Sequence, residues 1–249
     1  MKKSLKSALI ITGIVVLLGV IGFISWGLTP LGPTSEALAA LESNPNVTVQ
    51  DKGDFIVFTP TANTPITGFI FYPGGHVDHR SYAPVAQEIA SHGYRVSLVR
   101  MPLSLAVFGT NKADEVITAY PDMRYWVIGG HSLGGSIAAS YAKKHTDTVQ
   151  GLALWASYPA TSDDLSSTSL KGLSTYGSND QVLNMDNVNA TLALLPAGTI
   201  RQVIQGGNHA RFGNYGLQPG DGTATISAAD QQAQAAHLTM RLLRAVEGE

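Results

Sequence analysis

The 249 residues contain no cysteine. That excludes disulfides, thiolate-held metals and a cysteine nucleophile. Charge is scarce as well: Asp, Glu, Lys and Arg make up 14% of the chain, and the formal net charge is -2. Beyond the first six positions the basic residues are scattered. Nucleic-acid binding needs them clustered on one surface, so no nucleic-acid partner is expected. Internal repeats and low-complexity tracts are missing too. What the chain holds in quantity is apolar residues, 44% of the total. That is enough for one sizeable core and too much for a disordered chain.

One stretch has no charge at all. Lys2, Lys3 and Lys6 precede an apolar run from Ala8 to Trp26, about the 20 residues that span a bilayer as a helix. The run is longer than the apolar core of a signal peptide, about 7–15 residues, which is followed by a small-residue cleavage site. Here Gly27-Leu28-Thr29-Pro30-Leu31 follows instead. A basic flank stays in the cytoplasm, and Trp suits the membrane interface. Residues 1–28 are therefore expected to form a single-pass membrane anchor that leaves the rest of the chain outside the cytoplasm. The alternative is a cleaved signal peptide and a secreted product. Pro30, Gly32 and Pro33 end the helix and open a juxtamembrane linker, residues 29–46. Within it Thr34 can cap a short helix running to Glu42.

From residue 47 onward, strand and helix patterns alternate. Residues 47–49 and 55–58 read as a hairpin around Gln50-Asp51-Lys52-Gly53-Asp54. Further strands are expected at 66–72, 95–99, 125–128, 150–155, 170–176 and 199–204. Helices are expected at 82–91, 112–119, 133–144 and 186–195, with a last one capped by Ser227 and ending near Val246. Such alternation predicts an α/β fold: a mostly parallel sheet with helices on both faces, in one domain over residues 47–249. Ligand sites in such sheets lie beyond the carboxyl ends of the strands.

The strongest motif is Gly130-His131-Ser132-Leu133-Gly134, which stands between a predicted strand and a predicted helix. This G-x-S-x-G context places a serine on a strained turn, with glycines where the chains approach closely. A serine hydroxyl needs a base to become a nucleophile. His209, in Gly206-Gly207-Asn208-His209, follows the last strand and suits that role. His131 lies inside the turn itself, and His145 and His237 fall in predicted helices. The base needs a carboxylate to orient it. Asp180, in Gly177-Ser178-Asn179-Asp180, follows the strand before; Asp163, Asp164 and Asp186 are rivals. An oxyanion site needs two backbone amides. One is expected from Leu133 and the other from Gly75 in Pro73-Gly74-Gly75-His76, with His76 as the second choice. His76, Asp78 and His79 are potential metal ligands, but no further cluster completes a site. No metal and no cofactor are expected.

These motifs, with Tyr72-Pro73-Gly74-Gly75-His76-Val77-Asp78, resemble the α/β-hydrolase superfamily. More narrowly, they resemble the small single-domain hydrolases similar to dienelactone hydrolases and carboxylesterases. The resemblance covers about residues 47–247 and implies the eight-stranded, mostly parallel sheet and cofactor-free hydrolysis of esters. Dienelactone hydrolases proper use a cysteine nucleophile, whereas this chain has Ser132, so lactone specificity is not implied. About 14 residues separate Trp155 from Leu170, too few for a large helical lid. A small-molecule acyl substrate is expected, with His76, Met101, Phe108, Tyr158 and Phe212 lining its pocket. Thioesterase, amidase or acyltransferase chemistry on the same residues stays open, as does a catalytically silent binding protein.

Overall fold

The computed structural model describes residues 2–248. Met1, Glu249 and the side chains of Lys2, Lys3 and Lys6, the basic flank of the apolar run, lie outside the described residues. Helix α1 (Lys2–Gly27) holds the whole apolar run, and Leu9–Gly27 is long and apolar enough to cross a membrane. Its large apolar side chains, such as Ile11, Leu18 and Phe23, are exposed. A helix apolar on every side suits hydrocarbon rather than the surface of a folded core.

The chain then runs α2 (Ser35–Ala39), β1 (Val47–Asp51), β2 (Phe55–Pro60), β3 (Thr67–Tyr72), α3 (Ala83–Ser91), β4 (Arg95–Val99) and α4 (Ala113–Ala119). There follow β5 (Tyr125–His131), α5 (Leu133–Lys144), β6 (Gly151–Trp155), β7 (Lys171–Gly177), α6 (Met185–Ala190), β8 (Ile200–Ile204) and α7 (Ala228–Glu247). The eight strands form one sheet in the order β1-β2-β4-β3-β5-β6-β7-β8. β1 and β2 pair antiparallel, β2 runs antiparallel to β4, and every later pairing is parallel.

Strand β3 shows why the sheet is covered on both faces. Successive side chains of a strand point to opposite sides. Phe69 and Phe71 pack with α3 and α7, while Ile70 and Tyr72 pack with α5 and the α4 region. All four are buried, so the strand reads as a continuous apolar run rather than an alternating one. The two cores flank the sheet, and the functional loops gather at its carboxyl edge.

The expected elements form with local differences. β5 extends three residues further than its apolar pattern, because Gly129, Gly130 and His131 pair with Ala153, Leu154 and Trp155. The helix expected over 186–195 is two pieces: α6 stops at Thr191, whose hydroxyl bonds back to the carbonyl of Asn187, and a 3-10 turn covers Leu192–Leu194. Thr34 caps α2, but the helix ends at Ala39 and only turns follow toward Glu42. Ser227 caps α7 through the amide of Asp230. The segment from 29 to 46 packs on the domain: Leu31 bridges the backbone of His76 and Asp78, Thr34 bonds Asn214, and Ala37 is fully buried.

Phe71 sits between Tyr82 and Trp155, with ring centroids 4.8 Å from each. Phe71→Ala is expected to cost about 3–5 kcal/mol, the range for deleting a buried aromatic ring. Chemical denaturation checks this.

Candidate active site

The turn after β5 is built by close contact. Ser132 has φ of 52° and ψ of -124°, a left-handed conformation rare for a residue with a side chain. It persists because its surroundings leave no alternative. The amide of Ser132 bonds the carbonyl of Trp155 at 2.9 Å, and its carbonyl accepts from the hydroxyl of Ser157 at 2.7 Å. A Cβ on Gly134 would lie 2.3 Å from the carbonyl oxygen of Tyr72, and one on Gly130 would lie 2.6 Å from the amide nitrogen of Gly135. Only glycines let α5 begin this close to the ends of β3 and β5.

His209 follows β8 in a 3-10 turn, and its ring is buried. Its Nδ1 lies 2.8 Å from Oδ2 of Asp180, and both side chains are almost wholly buried. The other oxygen of Asp180 accepts the amides of Val182 (2.9 Å) and Leu183 (2.8 Å). A buried carboxylate needs such donors to remain charged. The rival carboxylates are engaged elsewhere: Asp163 with Ser140, Asp164 with the amide of Ser166, and Asp186 in the first turn of α6. His145 stacks on Tyr141, and His237 is exposed on α7.

A second carboxylate, which the sequence pattern did not single out, holds the His209 loop. Asp221 accepts the amide of His209 at 3.2 Å through one oxygen and that of Ala210 at 2.8 Å through the other. Gln231 of α7 completes the clamp by accepting from the amide of Asn208 and donating to its carbonyl. The signal lay in Pro219-Gly220-Asp221-Gly222, a turn sequence whose aspartate faces inward.

Among the backbone amides near Ser132 that carry no acceptor among the described residues are those of Leu133 and Gly75. The amide of His76 is taken by the carbonyl of Ser104 at 2.8 Å. Gly75 therefore has the free donor and His76 does not. Leu133 and Gly75 are neighbours, since a Cβ on Gly75 would lie 3.2 Å from a methyl of Leu133.

Ser132, Leu133 and His209 line one cavity of about 290 Å³, with Ser136, Tyr158 and Leu183 among its walls. A larger groove of about 930 Å³, bounded by Arg211, Asn214 and Asp221 among others, includes neither Ser132 nor His209. The smaller one holds the serine and histidine that the sequence motifs single out.

The sequence matches the model of the Alpha/beta hydrolase family over residues 68–233, more than half of its length. The chain belongs to the alpha/beta hydrolase family. None of the curated proteins compared with it matches. Among solved structures it is similar to the crystal structure of TT1662 from Thermus thermophilus, with a TM-score of 0.57 and 13% identity. That alignment covers 79% of this chain and 98% of the other; at this identity the likeness concerns the fold.

Of the five pocket residues expected in this hydrolase, Tyr158 alone lines the cavity with Ser132. Phe212 is fully buried against Trp155 and His131, so it belongs to the core. Met101 is buried in the other core. Phe108 points outward to Phe23 of α1, and His76 stacks on Trp26. The apolar loop after β4, expected to wall the pocket, packs instead toward the N-terminal helix. Val182, Leu183 and Ser136 take its place. Asp78 pairs with Arg80 and His79 rather than with His76. Burial alone would raise its carboxyl, but the hydrogen bonds from His79 and Arg80 outweigh that and hold it well below the usual carboxylate range. No group of three or more His, Cys, Asp or Glu suited to a metal occurs among the described residues.

His131 is buried beside His209, with ring centroids 4.5 Å apart, and its Nδ1 lies 2.9 Å from the hydroxyl of Tyr82. Burial, then the neighbouring His209 charge, push its pKa well below the ordinary value; the backbone of His209 offsets this in part. The folded protein resists protonating His131, whereas the unfolded chain takes up that proton near about pH 6.5. Its contribution to stability is therefore complete above that pH and declines below it. The unfolding midpoint is expected to fall between about pH 7 and about pH 5, and less steeply in His131→Asn. Equal slopes in thermal scans would remove His131 as the cause.

Proposed function

We propose that this alpha/beta hydrolase is a serine hydrolase that cleaves carboxylic esters of small or accessible substrates. The observation that carries the reading is the buried 2.8 Å contact between His209 and Asp180, with His209 at the cavity that also holds Ser132. Asp180 keeps the Nδ1 proton on His209, which leaves Nε2 free to act as a base. His209 takes the proton of the Ser132 hydroxyl as the oxygen attacks the ester carbonyl. The amides of Leu133 and Gly75 hold the resulting oxyanion. His209 then gives its proton to the departing alcohol, leaving an acyl-enzyme on Ser132. Water, deprotonated by the same imidazole, attacks the acyl carbon and releases the acid and the free serine.

The connection between β6 and β7 supports the choice of substrate. It spans residues 156–170 and carries no helix among the described residues, so no large lid covers the cavity. Helix α1 supports a place at the cell membrane, with α1 crossing once and the hydrolase domain outside the cytoplasm.

Ser132→Ala is expected to lower turnover of a short-chain aryl ester by about 10³-fold or more with the fold intact by circular dichroism.

A further inference from the structure

The last turn of α1 is joined to the domain beside the loop that carries Gly75. The indole of Trp26 stacks on the ring of His76, with centroids 4.0 Å apart and planes 9° from parallel. The carbonyl of Trp26 lies 2.7 Å from Nε2 of His76, and the carbonyl of Gly27 accepts from the hydroxyl of Ser104 at 3.0 Å. Gly27 is buried; a Cβ there would lie 2.8 Å from Cβ of Leu103. His76 is itself held at a positive φ of 58°. These contacts fix how the domain sits on the helix.

They also fix a depth. Phe23 meets Phe108 edge-on, with ring centroids 6.2 Å apart. Phe23 lies three residues before Trp26, about 4.5 Å further along the helix axis toward the middle of the apolar span. If Trp26 marks the interface, Phe108 lies below it. Phe108 and its neighbour Val107 are about half exposed, and Leu28 is 68% exposed. Phe108 meets α1 at Phe23, Val107 adjoins Phe108 in the chain and Leu28 follows the last residue of α1; water would be a poor neighbour for these exposed apolar side chains.

The same loop reaches the site. Ala106–Phe108 packs on α5, the helix that begins at Leu133. Leu105 lies within 3.7 Å of the place a Cβ on Gly75 would occupy. Leu105, in the loop that also carries Val107 and Phe108, thus stands close to Gly75.

We propose that Leu28, Val107 and Phe108 rest in the lipid leaflet from which α1 emerges, and that the site takes its acyl substrate, an ester-bearing amphiphile, from that leaflet. The second half rests on the serine-hydrolase reading; the first does not.

The absence of cysteine makes the test clean. The full chain carrying Phe108→Cys or Leu217→Cys, each labelled with a nitroxide, is placed in phosphatidylcholine vesicles. Leu217 is 88% exposed and borders the groove between α3 and α7. The label at 108 is expected to collide with dissolved oxygen in preference to a water-soluble nickel complex, and the label at 217 to do the reverse. Two labels that both prefer nickel would overturn the lipid contact. Val107→Asp is then compared with the native chain on two aryl esters, a water-soluble short-chain one and a long-chain one carried in the vesicles. A loss of about tenfold or more is expected on the vesicle-borne ester alone. An equal effect on both esters would overturn delivery from the leaflet. If the native chain hydrolyses neither, the hydrolase reading fails and delivery with it, while the labels still decide the contact.

Discussion

The close approach of α5 to the carboxyl ends of β3 and β5 is the constraint on which the site depends. Side chains at positions 130 and 134 would collide with backbone atoms, so both are glycine. With them the chain turns sharply enough to leave Ser132 at a positive φ, facing the cavity. Leu133 opens α5, so its amide has no intrahelical acceptor, and its side chain lies beside Gly75. In the proposed reaction the amides of Leu133 and Gly75 would meet the developing charge without rearrangement.

The imidazole is held separately, by two carboxylates with different duties. Asp180 faces the ring of His209 and is satisfied by two backbone amides of its own loop. Asp221 faces the backbone of the His209 turn and never touches the ring. Ring orientation and loop position are therefore governed by different residues. Disturbing Asp221 would move the imidazole of His209 without removing its contact with Asp180.

Much of this was legible in the sequence, for identifiable reasons. The G-x-S-x-G turn, the Gly-flanked His209 and Asp180 stand at strand ends, and strand ends are local features. The strand positions follow from apolar patterning, and the single eight-stranded sheet is what the family resemblance implies. The pocket walls were not legible, because they depend on how loops fold back. Met101 and Phe108 follow β4 and look like wall residues, yet their loop turns toward α1. Phe212 lies three residues from His209, yet its ring points into the core. Val182 and Leu183 reach the cavity only because Asp180 caps their amides. Asp221 escaped notice because a turn aspartate is usually solvated, and only the structure brings it under residues 209 and 210.

The account turns on whether the strained turn and the oriented imidazole make Ser132 a reactive nucleophile. Treating the folded protein with a fluorophosphonate and mapping the adduct by mass spectrometry tests this without knowledge of the substrate. The account predicts one phosphonylated site, Ser132, and loss of labelling on unfolding. Folded protein that takes no label, or takes it at another serine, would contradict it.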